Sequence, residues 1–301
     1  MSSASAAVPL SQYLAAQQQR IDHELKRLVP SETMPPQTIH RAVLYSLLAG
    51  GKRIRPILCI EAARTVSAET EGLVQAACSL EMIHTYSLIH DDLPALDNDD
   101  FRRGKPTCHK VFGDAMAILA GDALLTMAFE TLGSLPHCPP ERVVHLVAEL
   151  ARAAGTVGGM IGGQVADIEG ERQTPTAELL ESIHRAKTGA LLRASVRMGA
   201  IFAGASNDEL DALSHYGAHV GLAFQIVDDI LDVEESSDVL GKTAGKDAHQ
   251  QKITFPAVYG LDVSRQMART ECERAEAVLD RFGDAALRLR EIAAMIVSRK
   301  S

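Results

Sequence analysis

"LSHYGAHVGLAFQIVDDILDV", residues 213–233, combines a helical period with an acidic cluster. Its apolar residues advance by three or four positions, as they do along one face of an α-helix. They are Leu213, Tyr216, Val220, Phe224, Val227 and Leu231. A second stripe contains Gly221, Gln225, Asp228 and Asp232. Because each residue turns the helix by about 100°, the second stripe lies roughly 100° from the first. The segment therefore predicts a packed helix on which Asp228 and Asp232 flank the buried face.

The same helical period recurs along most of the chain, and no segment alternates convincingly as a β-strand does. The predicted helices span residues 9–28, 37–49, 55–66, 71–92, 114–133, 140–168, 176–203, 207–233, 252–262, 264–281 and 284–298. Aromatic residues are only 4% of the sequence, so strand-forming side chains are scarce. No Ser/Gly-rich linker or shift in composition divides the 301 residues. The sequence predicts an all-α fold in a single domain, residues 1–301.

Composition narrows the class of protein. A formal net charge of −9 lacks the basic footprint of nucleic-acid binding. Five dispersed cysteines without CxxC spacing indicate reduced thiols and a cytoplasmic location. The first 13 residues have neither the positive nor the apolar region of a secretory signal, and no uninterrupted apolar run reaches the roughly 18 residues of a membrane span. We therefore expect a cytoplasmic protein with no membrane span and no nucleic-acid partner.

Two clusters of aspartates lie at or near the ends of long apolar helices. The first, "IHDDLPALDNDDFRRGKP" at residues 89–106, holds five aspartates followed at once by three cations. The second, "VDDILD" at residues 227–232, echoes it. Carboxylates this close repel each other unless a cation lies between them. Since no Cys or His cluster stands nearby at ligand spacing, the oxygen-only set indicates Mg²⁺ or Mn²⁺ rather than zinc or copper.

Cations stand at several breaks between the predicted helices. "GGKRIRP", residues 50–56, places Lys52, Arg53 and Arg55 after two glycines and before a helix, whose positive N-terminal end favours an anion. The others are Lys187, beside Thr188, and Lys242, Lys246 and Lys252. Each cation alone fits an ordinary surface residue. Together with two acidic clusters, they indicate a substrate that carries a phosphate or a diphosphate.

The sequence resembles the trans-isoprenyl diphosphate synthase family, and bacterial farnesyl diphosphate synthases most closely. The matching motifs are "GGKRIRP", "EMIHTYSLIHDDLPALDNDDFRRGKPTCH", "GGQVADIEGE", "KTGALLRAS", "FQIVDDILDV" and "GKTAGKDAHQQKITFP". They follow the family's order and cover residues from about 40 to 260. The resemblance implies a mostly antiparallel all-α helix bundle around a deep central cavity, usually in a homodimer. It also implies isopentenyl diphosphate and an allylic diphosphate as substrates.

The resemblance assigns a role to each matching residue. Asp91, Asp97 and Asp228 would hold three Mg²⁺ ions, with Mn²⁺ as an alternative metal, and Asp92 and Asp232 would support them. The allylic diphosphate would be bound by Arg102, Lys187, Thr188, Gln225 and Lys242. Isopentenyl diphosphate would be bound by Lys52, Arg55, His84 and Arg103. Lys246 and Lys252 belong to the last motif, where Lys252 is a further diphosphate ligand. The residues expected to be catalytic are Asp91, Asp92, Asp97, Asp228 and Lys187.

Product length in this family depends on residues just before the first aspartate pair. Tyr86 and Ser87 are the fifth and fourth residues before Asp91, and an aromatic residue at the fifth position resembles the bacterial farnesyl pattern. The implied product is farnesyl diphosphate. The alternatives are a geranylgeranyl or longer-chain synthase, a class I terpene cyclase and a non-catalytic synthase subunit.

Other motif residues keep structural explanations. His84, seven residues before Asp91 on one helix face, also fits a core histidine. "GGMIGGQ", residues 158–164, predicts close helix packing, with Gln164 and Asp167 within reach of the site. Asp99, Asp100 and Lys105 fit local salt bridges better than a ligand role.

Overall fold

The structure is a computed structural model that describes residues 8–170, 176–238 and 253–298. Contacts among these residues divide the chain into two compact units. Unit 1 draws on residues 1–60 and 69–147, and unit 2 on residues 61–68 and 148–301.

Unit 1 is built from helices and one short hairpin. Its elements are α1 (Leu10–Leu28), α2 (Gln37–Leu47), the first part of α3 (Ile54–Val66), α4 (Leu73–Asp91), strands β1 (Phe101–Arg102) and β2 (Lys105–Pro106), α5 (Cys108–Phe112), α6 (Asp114–Gly133) and the first part of α7 (Pro140–Ala154). Helix α4 is the centre of the unit, because most of its residues are buried. It packs along α6 and also contacts α1 and α2. A helix buried on nearly all sides is the one expected to be apolar all round.

Helix α6 is long and apolar enough, by length and composition, to cross a membrane, and no other described helix is. Its apolar sequence is interrupted by Asp122 and Thr126, and it packs along α4 through buried small and apolar residues. These residues are Ala117, Ala120, Gly121, Leu124, Ala128 and Leu132. Core helices of soluble proteins share this composition, so the expected absence of a membrane span stays a prediction.

Unit 2 is organised around its longest helix. Its elements are the last parts of α3 and α7, then α8 (Met160–Gly170), α9 (Ala177–His184), a π-helical turn (Arg185–Gly189), α10 (Ala190–Ala203), α11 (Asn207–Asp238), α12 (Phe255–Tyr259), α13 (Leu261–Val278), a 3₁₀ segment (Leu279–Ala286) and α14 (Leu287–Ser298). Helix α11 packs against α10, α13 and α14. The fully buried Tyr216 on α11 donates its hydroxyl to the carbonyl of Leu289 at 2.7 Å, so the phenol fills the core without losing its hydrogen bond.

The all-α fold class predicted from the sequence is confirmed. The prediction of one helix over residues 140–168 was wrong: α7 ends at Ala154 and α8 begins at Met160. Glycines explain the break, because Gly158 adopts a left-handed φ of 65° and a side chain on Gly162 would overlap the carbonyl of Thr156. The expected single-domain bundle with a central cavity stays a prediction.

The sequence did not predict three smaller features of the fold. The hairpin pairs Phe101 with Pro106 and Arg102 with Lys105, and strands of two residues are too short to show a period. The π-helical turn interrupts the helix predicted over residues 176–203. Gly260, with φ 81°, separates α12 from α13 earlier than predicted.

Candidate active site

The first aspartate cluster lies where α4 ends, in unit 1. Asp91 is the last residue of α4 and Asp92 caps it. The chain then folds back, because the backbone N–H of Asp97 bonds to the carbonyl of Asp91 at 2.8 Å and that of Asp99 bonds to Asp92 at 3.1 Å. This loop brings the two predicted metal ligands of unit 1, Asp91 and Asp97, next to each other along the backbone.

Arg102 of the hairpin neutralises the one buried carboxylate in this cluster. Its Nε lies 2.8 and 3.0 Å from the two oxygens of Asp92, and its Nη2 lies 2.6 Å from Oδ1. Asp92 is 4% exposed, and a buried carboxylate needs such a partner. The sequence predicted Arg102 as a diphosphate ligand, and the structure adds that it orders the aspartate cluster. Asp100 pairs with Lys110 at 2.8 Å, which confirms local salt bridging for that residue.

The loop "GGKRIRP" owes its shape to Arg53, a residue that the sequence analysis left without a role. Arg53 has a left-handed φ of 52° and is buried. Its guanidinium donates to Asp22 at 2.7 Å, to Glu81 at 2.6 Å and to the carbonyl of Leu47 at 2.7 Å. These bonds tie the loop to α1, α4 and the end of α2. They fix the backbone on either side, where the predicted ligands Lys52 and Arg55 stand.

Arg103 reaches the same loop from the hairpin. It donates to the carbonyl of Gly50, and a Cβ on Gly51 would lie 2.5 Å from its Nη1, so any other residue at position 51 would displace the guanidinium. Burial, followed by the positive charges of Arg55 and Arg103, lowers the pKa of His84 well below its ordinary value of 6.5. The structure thus brings together Arg55, His84 and Arg103, and it keeps the imidazole neutral.

A cavity of about 40 Å³ opens between the hairpin and α4 in unit 1. Asp92, Arg102 and Arg103 line it together with Thr85 and Leu88. Both hairpin arginines therefore border one cavity beside the first aspartate cluster.

In unit 2, Lys187 and Thr188 lie on the π-helical turn, a distortion often found at functional sites. A methyl group on Gly163 of α8 would overlap the backbone of Lys187, and one on Gly221 of α11 would lie 3.1 Å from Cα of Gly189. Close packing of "GGMIGGQ" is therefore confirmed at Gly163. Lys187 Nζ pairs with Oδ2 of Asp167 at 2.6 Å, so Asp167 lies beside a predicted ligand, as expected.

The second aspartate cluster lies on α11 in unit 2. Asp228 and Asp232 are half-buried, as the two stripes predicted. Gln225 donates its amide to Asp229 at 2.8 Å. Asp229 is buried and had no assigned role, since nothing in the sequence distinguishes it from its acidic neighbours.

The predicted ligands Lys242 and Lys252 lie outside the described residues, as does Lys246 of the last motif, so their roles stay predictions. No group of three or more His, Cys, Asp or Glu side chains is arranged to hold a metal ion within residues 8–170, 176–238 and 253–298. Mg²⁺ usually takes one or two carboxylates and completes its ligands with water and substrate phosphate. The carboxylate oxygens of Asp91, Asp97 and Asp228 fit that metal in their chemistry.

The carboxylates at the end of α4 lie beside the arginines of the hairpin, a combination that suits a phosphate arriving with a hard metal ion. The chain belongs to the polyprenyl synthetase family, which matches residues 36–284, and it is a prenyltransferase of isoprenoid synthesis. This confirms the resemblance to the trans-isoprenyl diphosphate synthase family.

Relatives and solved structures agree with this family. The chain is 52% identical over 262 residues to the heterodimeric geranylgeranyl pyrophosphate synthase large subunit 1 of Arabidopsis thaliana, covering 85% of this chain and 70% of that protein. It is 45% identical over 292 residues to a dimethylallyltranstransferase of Fischerella ambigua, covering 96% and 84%. An FPP/GFPP synthase from Zymomonas mobilis superposes with a TM-score of 0.86 at 36% identity, covering 96% of this chain and 98% of that one. A geranyltransferase from Legionella pneumophila gives 0.85 at 36% identity, covering 96% of each.

Proposed function

We propose that the protein condenses isopentenyl diphosphate with dimethylallyl diphosphate and then geranyl diphosphate, head to tail, to give farnesyl diphosphate. The observation that carries this proposal is the grouping of Arg55, His84 and Arg103 in unit 1, beside the loop of Asp91 and Asp97. Cations gathered next to a carboxylate pair suit a diphosphate substrate that arrives with a hard metal ion.

The allylic diphosphate would be held by a metal ion and by cationic side chains. Asp91, Asp97 and Asp228 would hold Mg²⁺, which when bound neutralises charge that develops on the departing diphosphate. Arg102 and Lys187 would donate to the same diphosphate. Their positive charges stabilise the anion most when the allylic C–O bond is breaking, so they lower the barrier to ionisation.

Isopentenyl diphosphate would be held by Lys52, Arg55, Arg103 and His84. Because its pKa is lowered, His84 stays neutral and donates one N–H without adding a fourth charge. The alkene of this substrate attacks the allylic cation, a new C–C bond forms, and a proton is then lost to the departing diphosphate. The site must exclude water during this step, since water would capture the cation.

The product length is proposed from Tyr86. Tyr86 lies five residues before Asp91 on α4 and is buried, with its ring edge-on to His90 at 5.8 Å. Burial, with a smaller contribution from Asp91, raises the pKa of its phenol to about 12, so the ring stays neutral. A neutral aromatic ring at this position would limit the tail to 15 carbons. Ser87, one residue later, donates its hydroxyl to the carbonyl of His84 at 2.9 Å. Its small side chain would not displace the Tyr86 ring. A geranylgeranyl synthase is the second candidate, because relatives at about 50% identity carry that name.

A homodimer and a cytoplasmic location complete the proposal. Helix α6 exposes two large apolar side chains outside its packed face, since Ile118 and Leu119 are 45% and 52% exposed, and Val144 of α7 is exposed in the same unit. Exposed apolar faces of this kind mark protein interfaces. All five cysteines are free, which suits a reducing compartment.

Product analysis tests the proposal. Purified protein is incubated with Mg²⁺, isopentenyl diphosphate and dimethylallyl or geranyl diphosphate, and the chain length of the product is measured. Farnesyl diphosphate is expected. A product of 20 carbons would support the geranylgeranyl alternative, and a folded protein without condensation would support the non-catalytic subunit.

The Tyr86→Ala variant tests the assignment of product length. Removing the ring should lengthen the main product beyond 15 carbons while condensation continues. An unchanged product distribution would contradict the role of Tyr86.

A further inference from the structure

Asp229 is the buried member of the second aspartate cluster. Asp228 and Asp232, its neighbours on α11, are half-buried, whereas the side chain of Asp229 is 4% exposed. A carboxylate in such a position is unfavourable unless its oxygens accept hydrogen bonds. Asp229 accepts hydrogen bonds from two groups and lies in ion-pair contact with a third, and the three belong to different elements of unit 2.

The first partner is Gln225, one helical turn earlier on α11. Its Nε2 donates to Oδ1 of Asp229 at 2.8 Å. Because an ionised carboxylate only accepts, the nitrogen end of the Gln225 amide must face Asp229. The same nitrogen carries a second hydrogen, which suits donation to a phosphate oxygen. Asp229 therefore fixes the orientation of the Gln225 amide, which leaves the second N–H of this predicted ligand to donate to the diphosphate.

The second partner is the backbone of Phe255, the first residue of α12. Its N–H donates to Oδ2 of Asp229 at 2.9 Å, and its ring is fully buried. The predicted ligand Lys252, outside the described residues, is three positions earlier in the sequence. Asp229 thus anchors the helix that begins with the last two residues of this motif.

The third partner is His184, the last residue of α9. Its Nε2 lies 3.3 Å from Oδ2 of Asp229, which is an ion-pair contact and not a hydrogen bond, and Nε2 has no hydrogen-bond partner among the described residues. The His184 ring stacks on Phe255 with centroids 5.3 Å apart and planes 21° apart. His184 directly precedes the π-helical turn, so its position fixes where the turn begins.

We propose that Asp229 is a positioning residue for the allylic diphosphate: it orients the Gln225 amide directly and, through His184, holds the turn that carries Lys187 and Thr188. This inference rests on the proposed function. The proposal predicts an effect on the allylic diphosphate and not on isopentenyl diphosphate. The residues proposed to bind isopentenyl diphosphate all belong to unit 1, and they are Lys52, Arg55, His84 and Arg103.

Steady-state kinetics of Asp229→Asn tests the proposal. The amide introduced by this variant offers one acceptor oxygen where the carboxylate of Asp229 offers two. It can accept from Phe255, but both contacts persist only if the Gln225 amide reverses and accepts from the new NH2 group. Loss of a charged acceptor should raise KM for the allylic diphosphate by about tenfold or more. KM for isopentenyl diphosphate should change by less than about threefold.

Glu271→Gln is the matched control. Glu271 is a buried carboxylate on α13. Its Oε2 lies 2.7 Å from Nδ1 of His219 on α11, the helix that also carries Asp229. Glu271 contacts none of the predicted ligands that lie within the described residues. This variant should lose stability as Asp229→Asn does, yet both KM values should stay as in the wild type. Equal changes of the two KM values in Asp229→Asn, or unchanged values in both variants, would overturn the positioning role.

Two measurements do not depend on turnover. Hydrogen exchange at the Phe255 amide should speed up in Asp229→Leu and stay slow in Glu271→Gln. Calorimetric titration with inorganic diphosphate and Mg²⁺ should show about tenfold weaker binding to Asp229→Asn than to the wild type. If the wild type binds diphosphate but forms no product, the proposed function fails, and this titration still decides the role of Asp229. Equal affinity of the two proteins, or no binding by either, would overturn it.

Discussion

The two turns proposed to bind diphosphates are held in different ways. Residues 50–55 of unit 1 are fixed by charge, because the buried Arg53 bonds at once to Asp22, Glu81 and the carbonyl of Leu47. Lys52 is left exposed beside this anchor. In this loop, one cation maintains the structure and the exposed Lys52 beside it is accessible to a ligand.

The π-helical turn of unit 2, residues 185–189, is fixed largely by fit. Gly163 and Gly221 let α8 and α11 approach the backbone of the turn, and His184 stacks on Phe255 just before it. The cation of this turn, Lys187, is itself paired with Asp167. Here the proposed ligand has no separate cationic anchor like Arg53 within the turn.

This contrast implies that different kinds of substitution should destabilise the two turns. Removing one member of a buried ion pair leaves an uncompensated charge, which is strongly destabilising. Adding volume to a close-packed contact forces side chains and backbone to move. Loss of charge should therefore damage the loop of unit 1, and added volume should damage the turn of unit 2.

The largest effect is expected from Arg53→Met. The variant leaves Glu81, whose side chain is 3% exposed, without its buried partner. The free energy of unfolding should fall by about 3–5 kcal/mol, measured by urea denaturation. The double variant Arg53→Met with Glu81→Leu should recover most of this loss, because no buried charge is then unpaired. A loss below about 1 kcal/mol in the single variant would contradict the charge-based anchor.

The next effect is expected from Gly163→Ala. The added methyl overlaps the backbone of Lys187, so the free energy of unfolding should fall by about 1–3 kcal/mol. KM for the allylic diphosphate should rise, since Lys187 moves with the turn. Gly133→Ala is the matched control, because nothing lies within 4 Å of the Cβ it adds at the end of α6. Equal stability changes in the two variants would show that fit does not hold the turn.

A pH series sharpens the comparison further, because the cations that lower the pKa of His84 are Arg55 and Arg103 of the charged site. At a pH below 6.5, the ordinary pKa of histidine, His84 is protonated in the unfolded chain and stays neutral in the folded protein. Unfolding then takes up a proton, so the free energy of unfolding falls as pH drops below 6.5 and is constant above it for this group. The slope should be smaller in His84→Gln than in the wild type, measured by denaturation between about pH 5 and 8. Identical slopes would show that His84 does not titrate as described.

The sequence predicted what depends on local period and missed what depends on distant contacts. The stripes of α11 placed Asp228 and Asp232 at the edge of the buried face because 3.6 residues per turn determine that position. Arg53 looked like Lys52 and Arg55 in the sequence, since its anchoring role needs Asp22 and Glu81, each about 30 residues away. A central role for Asp229 required knowing that α9 and α12 meet α11 at this residue. One signal was available for Gly163: a second glycine pair in "GGMIGGQ" suggested close approach before its partner was known.

The smallest effect is expected from Arg185→Ala. This variant allows Arg185 of the π-helical turn to be compared with Arg53 of the loop in unit 1. Arg185 opens the π-helical turn and pairs with Glu181 at 3.3 Å, but its side chain is 57% exposed. Exposed pairs one helical turn apart contribute about 0.5 kcal/mol or less, since water screens them. The free energy of unfolding and both KM values should therefore stay close to the wild type. If Arg185→Ala instead destabilised the protein as much as Arg53→Met, charge would hold both turns, and the distinction between an ionic anchor and a glycine fit would fail. A neutral result would show that burial, rather than the presence of arginine, makes Arg53 an anchor.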